Sequence, residues 1–329
     1  MKKNKILAVA LAGLMLAFGM VEAQAQDMIK LRFGKLSPSL GMLRGTVAEQ
    51  QGFFKKHGLD VEVTEFRGSP ELNTAAVSGE IDIAHTGLSS VLVLRQRNLP
   101  VKAFYVETGA AFYHLLASPE IASLQDAVNK GASAAVSGIG SLDYVVTRYL
   151  FKRANLDPNK IKYVQAGNPG QRTAALEAGR VQLALSAVPE TYEVMRRGKV
   201  KELAKMADYS KDFALEVLWA KEDYIAKNQE AMKRFLAAMD DASLWIRSSP
   251  EANAMIAKYL SLNSASPSED AKASLGEATF PTVAEHKARL KELLAGCEPL
   301  AADALENGQL KADSPAALVQ QIFDLRYVQ

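Results

Sequence analysis

Cysteine is almost absent: Cys297 is the only one in 329 residues. No intrachain disulfide can form, so burial of a core must hold the fold together. Cys297 sits in the apolar stretch LLAGCEPL, which reads as structure rather than as a nucleophile. Histidine is scarce as well. His57, His85, His114 and His286 are scattered, and there is no Cys/His cluster, His-Glu-x-x-His or Gly-x-Ser-x-Gly. Zinc sites and hydrolase elbows of the usual patterns are thereby excluded. No metal, cofactor or catalytic residue is expected. An excess of one charge is also lacking. The 39 Lys and Arg against 37 Asp and Glu give a net charge of +2. The first 25 residues hold three Lys and one Glu, which leaves 36 of each sign in the remainder. Neither nucleic acid nor an anionic membrane surface is an expected partner. Beyond the N-terminus no run is apolar and long enough to cross a bilayer, so no stable membrane insertion is expected.

What is present begins with an export signature. Lys2, Lys3 and Lys5 precede the apolar run Ile6 to Met20, and Ala23-Gln24-Ala25 is a small-x-small cleavage site. The reading is a signal peptide over residues 1–25, cleaved after Ala25. No Cys follows it for lipid attachment. The remaining 304 residues suit two domains better than one core.

Alternation and helical spacing then give strands and helices in turn. Met28 to Lys35, Leu59 to Phe66, Ile81 to Ala84 and Leu99 to Tyr105 read as strands. Helices fall between them over Arg44 to His57, Pro70 to Ser78 (with Ser69 as cap) and onward from Gly87 to Arg97. This βαβαβ order predicts a parallel, doubly wound sheet. A second unit follows with strands at Tyr113 to Ala117, Ala132 to Val136, Lys160 to Gln165 and Val181 to Leu185. An echo links the units: AAVSGEIDIAHTG at Ala75 to Gly87 and ALEAGRVQLALSA at Ala175 to Ala187, 100 positions on. It points to two similar lobes. Phe213 to Ala220 leaves the second unit, and the helices after it are expected to pack back on the first.

The turn Ser137-Gly138-Ile139-Gly140-Ser141 stands out. It joins a small-residue strand to a helix capped by Ser141, with Asp143 in the first turn. Backbone N–H groups at such a junction can cradle an anion. Gly138-Ile139-Gly140 starts like a dinucleotide fingerprint, but position 143 is Asp rather than Gly. The next strand also ends without the ribose-binding acid, so a nucleotide is excluded.

Several stretches together resemble one family: the periplasmic solute-binding proteins of ABC importers for nitrate, sulfonates, taurine and thiamine-type pyrimidines. They are AEQQGFFKKHGLDVEV (48–63), SGEIDIAHTG (78–87), SLQDAVNKG (123–131), GSLDYVVTRYL (140–150) and the long return segment from Leu218 to Ile256. The resemblance implies an α/β chain of two Rossmann-like lobes joined by a two-strand hinge, the type II periplasmic-binding-protein fold. The first lobe would span residues 26–107 and 214–329, carrying extra C-terminal helices. The second would span 108–213, with crossings near Tyr105 to Thr108 and Asp212 to Val217. It implies a periplasmic monomer that closes on a small-molecule ligand and hands it to an ABC permease.

Ligands in open α/β sheets lie beyond the carboxyl ends of strands, and two hinged lobes close around them. The candidate lining is therefore Ser37, Pro38, Leu40, Arg67, Gly68, Ser69, Thr86 and Gly87 from the first lobe. From the second come Ser137, Gly138, Gly140, Ser141, Asn168, Pro189 and Glu190. Arg67 would balance an anion, Glu190 would favour a ligand amine as in taurine, and Thr86 and Ser37 would face the Ser137–Ser141 jaw. His85 and Trp219 read as packing residues, and Arg172 as a surface residue at its helix start that could reach the cleft. The expected cargo is a small organic anion such as a sulfonate or taurine. Alternatives are a thiamine-pyrimidine-type ligand, an enzyme of the same fold, and a sensory protein that presents its ligand to a receptor. The single Cys speaks against the enzyme, because the related pyrimidine synthases carry a cysteine-rich stretch.

Overall fold

A computed structural model describes residues 28–36, 38–109, 112–209, 214–260, 267–278, 280–306, 308 and 310–327. The expected leader, Ser37 and residues 212 and 213 of the second expected crossing lie outside the described residues.

Among the described residues, ten strands form two five-stranded sheets. The first contains β1 (Ile29–Leu36), β2 (Leu59–Phe66), β3 (Ile83–Gly87), β4 (Val101–Gly109) and β10 (Ala214–Lys221), in the order β2-β1-β3-β10-β4. The second contains β5 (Tyr113–Ala117), β6 (Ser133–Val136), β7 (Lys162–Gln165), β8 (Leu183–Ala187) and β9 (Lys201–Lys205), in the order β7-β6-β8-β5-β9. The purely parallel sheet expected from the βαβ alternation is corrected in both halves. β10 runs antiparallel to β3 and β4, and β5 runs antiparallel to β8 and β9. Each reversed strand follows a connection between the sheets, so it enters its sheet from the opposite end.

The sequence echo is structural. Each copy ends a helix, turns through a glycine with positive φ (Gly79 at 88°, Gly179 at 70°) and supplies the middle strand of its sheet. Glycine takes that backbone at no steric cost. Even the strand-edge bonds repeat. Asp82 Oδ2 accepts from the Arg32 N–H at 2.8 Å, and Gln182 Oε1 accepts from the Ser133 N–H at 3.0 Å.

Helices cover both sheets, and their apolar stripes make the core. The long helix Gln229–Ser248 buries Met232, Phe235, Leu236 and Met239. Phe235 closes an aromatic cluster with Phe33 (5.0 Å between centroids) and Phe54 (5.3 Å). The helix expected over 44–57 is broken into Leu43–Gln50 and Phe53–Lys56 by Gln51-Gly52. Ser69 does not cap the next helix; it is buried as the first helical residue, with Gly68 in the N-cap position.

The C-terminal helices do pack on the first sheet. Phe323 bridges Ala103, and the Asp324 N–H donates to Ala103 O at 2.7 Å. They also grip the second half. Asp270 pairs with Arg196, Glu277 meets His114 and Tyr192, and Asp303 and Glu306 pair with Lys152.

Candidate functional site

The carboxyl ends of both sheets' parallel strands face one cavity of about 490 Å³. Its first-half wall is Leu36, Pro38, Ser39, Leu40, Met42, Arg67 and Gly68, with Glu216 from β10. Its second-half wall includes Tyr113, Ser137, Leu142, Asp143, Arg172, Thr173, Pro189 and Glu190. Apolar walls with a few converging polar groups are the usual makeup of a small-molecule site.

Of the sequence candidates, the structure brings Pro38, Leu40, Arg67, Gly68, Ser137, Asn168, Pro189 and Glu190 to this cavity. The other described candidates are placed elsewhere. Ser69, Gly140 and Ser141 line a separate crevice beside the helices Ser69–Ser78 and Leu88–Gln96. Thr86 is fully buried, and its Oγ1 accepts the Trp219 indole N–H at 2.8 Å. Gly87 lies against Leu142, where a Cβ would come within 2.7 Å, and Gly138 lies against Pro70. The Ser137–Ser141 turn is thus where the halves touch, and its far end does not reach the cavity.

The expected anion cradle is already filled. The Asp143 carboxylate accepts from the Ser137 N–H at 2.6 Å and from Ser137 Oγ at 2.7 Å. Ser141 caps its helix as expected, accepting from the Tyr144 N–H, while its own hydroxyl donates to Gly138 O. Arg172 is not on the surface. It is 7 % exposed, sits in the first turn of the helix Pro169–Glu177, and donates from Nη1 to Gly167 O at 3.1 Å. Its Nε lies 3.7 Å from Asp143 Oδ2 and makes no hydrogen bond.

Carboxylates outnumber guanidiniums inside the cavity. Glu190 accepts from Thr173 Oγ1 at 2.8 Å, and its burial raises its pKa. Glu216, 1 % exposed, accepts the Tyr113 hydroxyl at 2.6 Å, a bond between the two sheets. Burial and the adjacent Glu216 push the Tyr113 phenol well up. A Cβ on Gly41 would collide with the Glu216 carboxylate. Arg67 is exposed at the rim, and Arg197 is held by Glu177 and Glu193. Asn168 spends its side-chain oxygen as a helix cap, in a reciprocal box with Gln171.

Sequence reading missed Tyr113, Asp143 and Glu216 as lining; Arg172, expected on the surface but able to reach the cleft, does line the cavity, from a buried position. Glu216 carried a signal: an acid inside the otherwise apolar strand FALEVLWA. The others stand within a turn of strand ends already singled out.

Residues 43–253 match the family described as NMT1/THI5 like. The chain belongs to that family. The NMT1/THI5-like chain is 24% identical over 226 residues to YtlA of Bacillus subtilis strain 168, provisionally named a binding protein; the match covers 68% of each chain. Its fold is shared with the periplasmic aliphatic sulphonate binding protein SsuA of Escherichia coli. There the TM-score is 0.68 and the identity 20%, over 89% of this chain and 97% of that one. The periplasmic nitrate-binding protein NrtA of Synechocystis PCC 6803 also shares it. That comparison gives a TM-score of 0.72 and 16% identity, over 92% and 87%. The two-lobed α/β periplasmic-binding-protein fold is therefore the fold of this NMT1/THI5-like chain. Among its described residues, no helix is long and apolar enough to cross a membrane.

Proposed function

We propose that this protein is the solute-binding component of an ABC importer, working in the periplasm after loss of residues 1–25. Its lobes would comprise residues 26–107 with 214–329, and 108–213, closing as a monomer over a small organic acid that also carries an amine. Taurine is the simplest example among sulfonates. The observation that carries this reading is Arg172, a buried guanidinium whose Nε makes no hydrogen bond, on the wall of a cavity that Glu190 and Glu216 also line. An acid group meets Arg172, with Arg67 at the rim, and an amine meets the carboxylates. Hydrogen bonds to charged ligand groups contribute roughly 1.5–3 kcal/mol each, so a few suffice for micromolar capture. The protein acts as a carrier and changes no bond in its ligand. Leu36, Leu40, Met42 and Leu142 on the cavity wall also support a second reading, an aminated aromatic ring such as a pyrimidine.

A thermal-shift screen of the protein lacking residues 1–25 tests this. The panel is taurine, alkanesulfonates, nitrate, aromatic carboxylates and aminopyrimidines. A ligand at 100 times its Kd adds about 2.7 kcal/mol of stability, a shift of several degrees. Aminated compounds are expected to shift the melting temperature and nitrate is not. Turnover of any compound by the purified protein would refute the carrier role.

A further inference from the structure

We infer that Asp143 is a resident anion that sets the charge class of the cargo: it keeps free oxyanions out of the second lobe's cradle and turns that wall toward cations. The inference rests on the binding-cleft reading above. The cradle has the parts an oxyanion needs. They are the Ser137 N–H, the Ser137 hydroxyl, the start of the helix Leu142–Arg153, and the Arg172 guanidinium. Asp143 takes the first two at 2.6 and 2.7 Å and stands 3.7 Å from Arg172 Nε. Its side chain and that of Arg172 are each 8 % exposed, and both line the cavity. A nitrate, a sulfate or a sulfonate without an amine entering here would meet a carboxylate instead of open donors, and like charges at short range repel.

The remaining neighbours reinforce the bias. Glu190 and Glu216 lie on the same cavity, so its interior presents three carboxylates against the one buried guanidinium. That balance favours a ligand whose amine, amidine or other charged donor points at Asp143 and whose acid, if it has one, points to Arg172. Specificity of this kind works by making the wrong partner repulsive as well as the right one attractive.

Removing the resident anion should invert the preference. Sulfate is the probe, so no cargo need be known. In Asp143→Ser the cradle is emptied, and sulfate should raise the melting temperature by several degrees and bind by calorimetry at least ten-fold more tightly than to the wild type. In Asp143→Asn the shape is kept and only the charge is lost, and a smaller gain is expected. The isosteric variant decides the matter should the serine variant not fold. Ser137→Ala combined with Asp143→Ser should abolish the gain, because the hydroxyl donor is then missing. Equal sulfate binding by wild type and both Asp143 variants would overturn the inference. The outcome is separable from the carrier reading: a failed solute screen leaves the sulfate comparison intact, and an unaltered sulfate response leaves the screen intact.

Discussion

At the scale of single residues, the buried polar groups near the hinge carry a measurable pH signature. His286 stacks on Tyr105 at 4.3 Å between centroids, and its Nε2 accepts the Val106 N–H at 3.0 Å. Burial, with Arg44 nearby, lowers its pKa to about 4. The unfolded chain would bind a proton near 6.5 while the folded one does not. Stability from this group is therefore complete above about pH 6.5 and falls as the pH drops toward 4. The gap corresponds to roughly 3 kcal/mol across that window. Urea denaturation at pH 7 and pH 4.5 measures it. In His286→Gln, which keeps an acceptor for Val106, the deficit against wild type should shrink at the lower pH; a constant deficit would contradict the assignment. None of this was legible in the sequence, where His286 was one of four scattered histidines. Nor was the fate of Thr86. A threonine at a strand end looks available to a ligand until Trp219, from a strand over 130 positions away, takes its hydroxyl. Burial partners across long sequence separation are invisible to local pattern.

At the scale of elements, local pattern read well where one segment dictates its own geometry. The strand spacing, the Ser141 cap and the 100-residue echo all follow from periodicity and turn chemistry, and all appear in the fold. Strand direction did not, because β5 and β10 reverse for a reason set by chain path. The Ser137–Ser141 turn was legible as a junction and not as a contact. Gly68, Pro70 and Val93 from the first half lie against it, and Gly87 lies against Leu142 just after it. Gly87 has an ordinary extended backbone (φ −65°, ψ 149°), so a larger residue there meets steric trouble alone. Gly87→Val would drive into Leu142, including its Cβ at 2.9 Å from where a first carbon would stand. The lobes should be wedged apart. Affinity for the solute found by the screen should fall at least ten-fold, and X-ray scattering should give a larger radius of gyration. The urea midpoint should fall as well, because Leu142 belongs to the buried core, and the radius of gyration of the folded variant separates wedging from unfolding. Unchanged affinity would mean that closure does not pass through this contact.

At the scale of the whole molecule, the two sheets differ in how they are assembled. All strands of the second lie between Tyr113 and Lys205, and it has its own core of Leu116, Ala135, Leu176, Val181, Ala184, Val194 and Val200. The first is split, with β10 inserted between β3 and β4. A fragment of residues 112–209 should therefore fold alone, with dispersed amide resonances and a cooperative melt. A fragment of residues 28–109 should not, because without β10 its β4 has no strand beside it. Cooperative folding of the shorter fragment would contradict this. The insertion also has a cost in time. A chain emerging from the ribosome finishes β4 at Gly109 and must add 112 residues before Lys221 completes β10. At about 5–20 residues per second that wait is roughly 6–22 s. For that interval residues 28–109 lack the strand that completes their sheet, long enough for a chaperone to take hold of them before they can close.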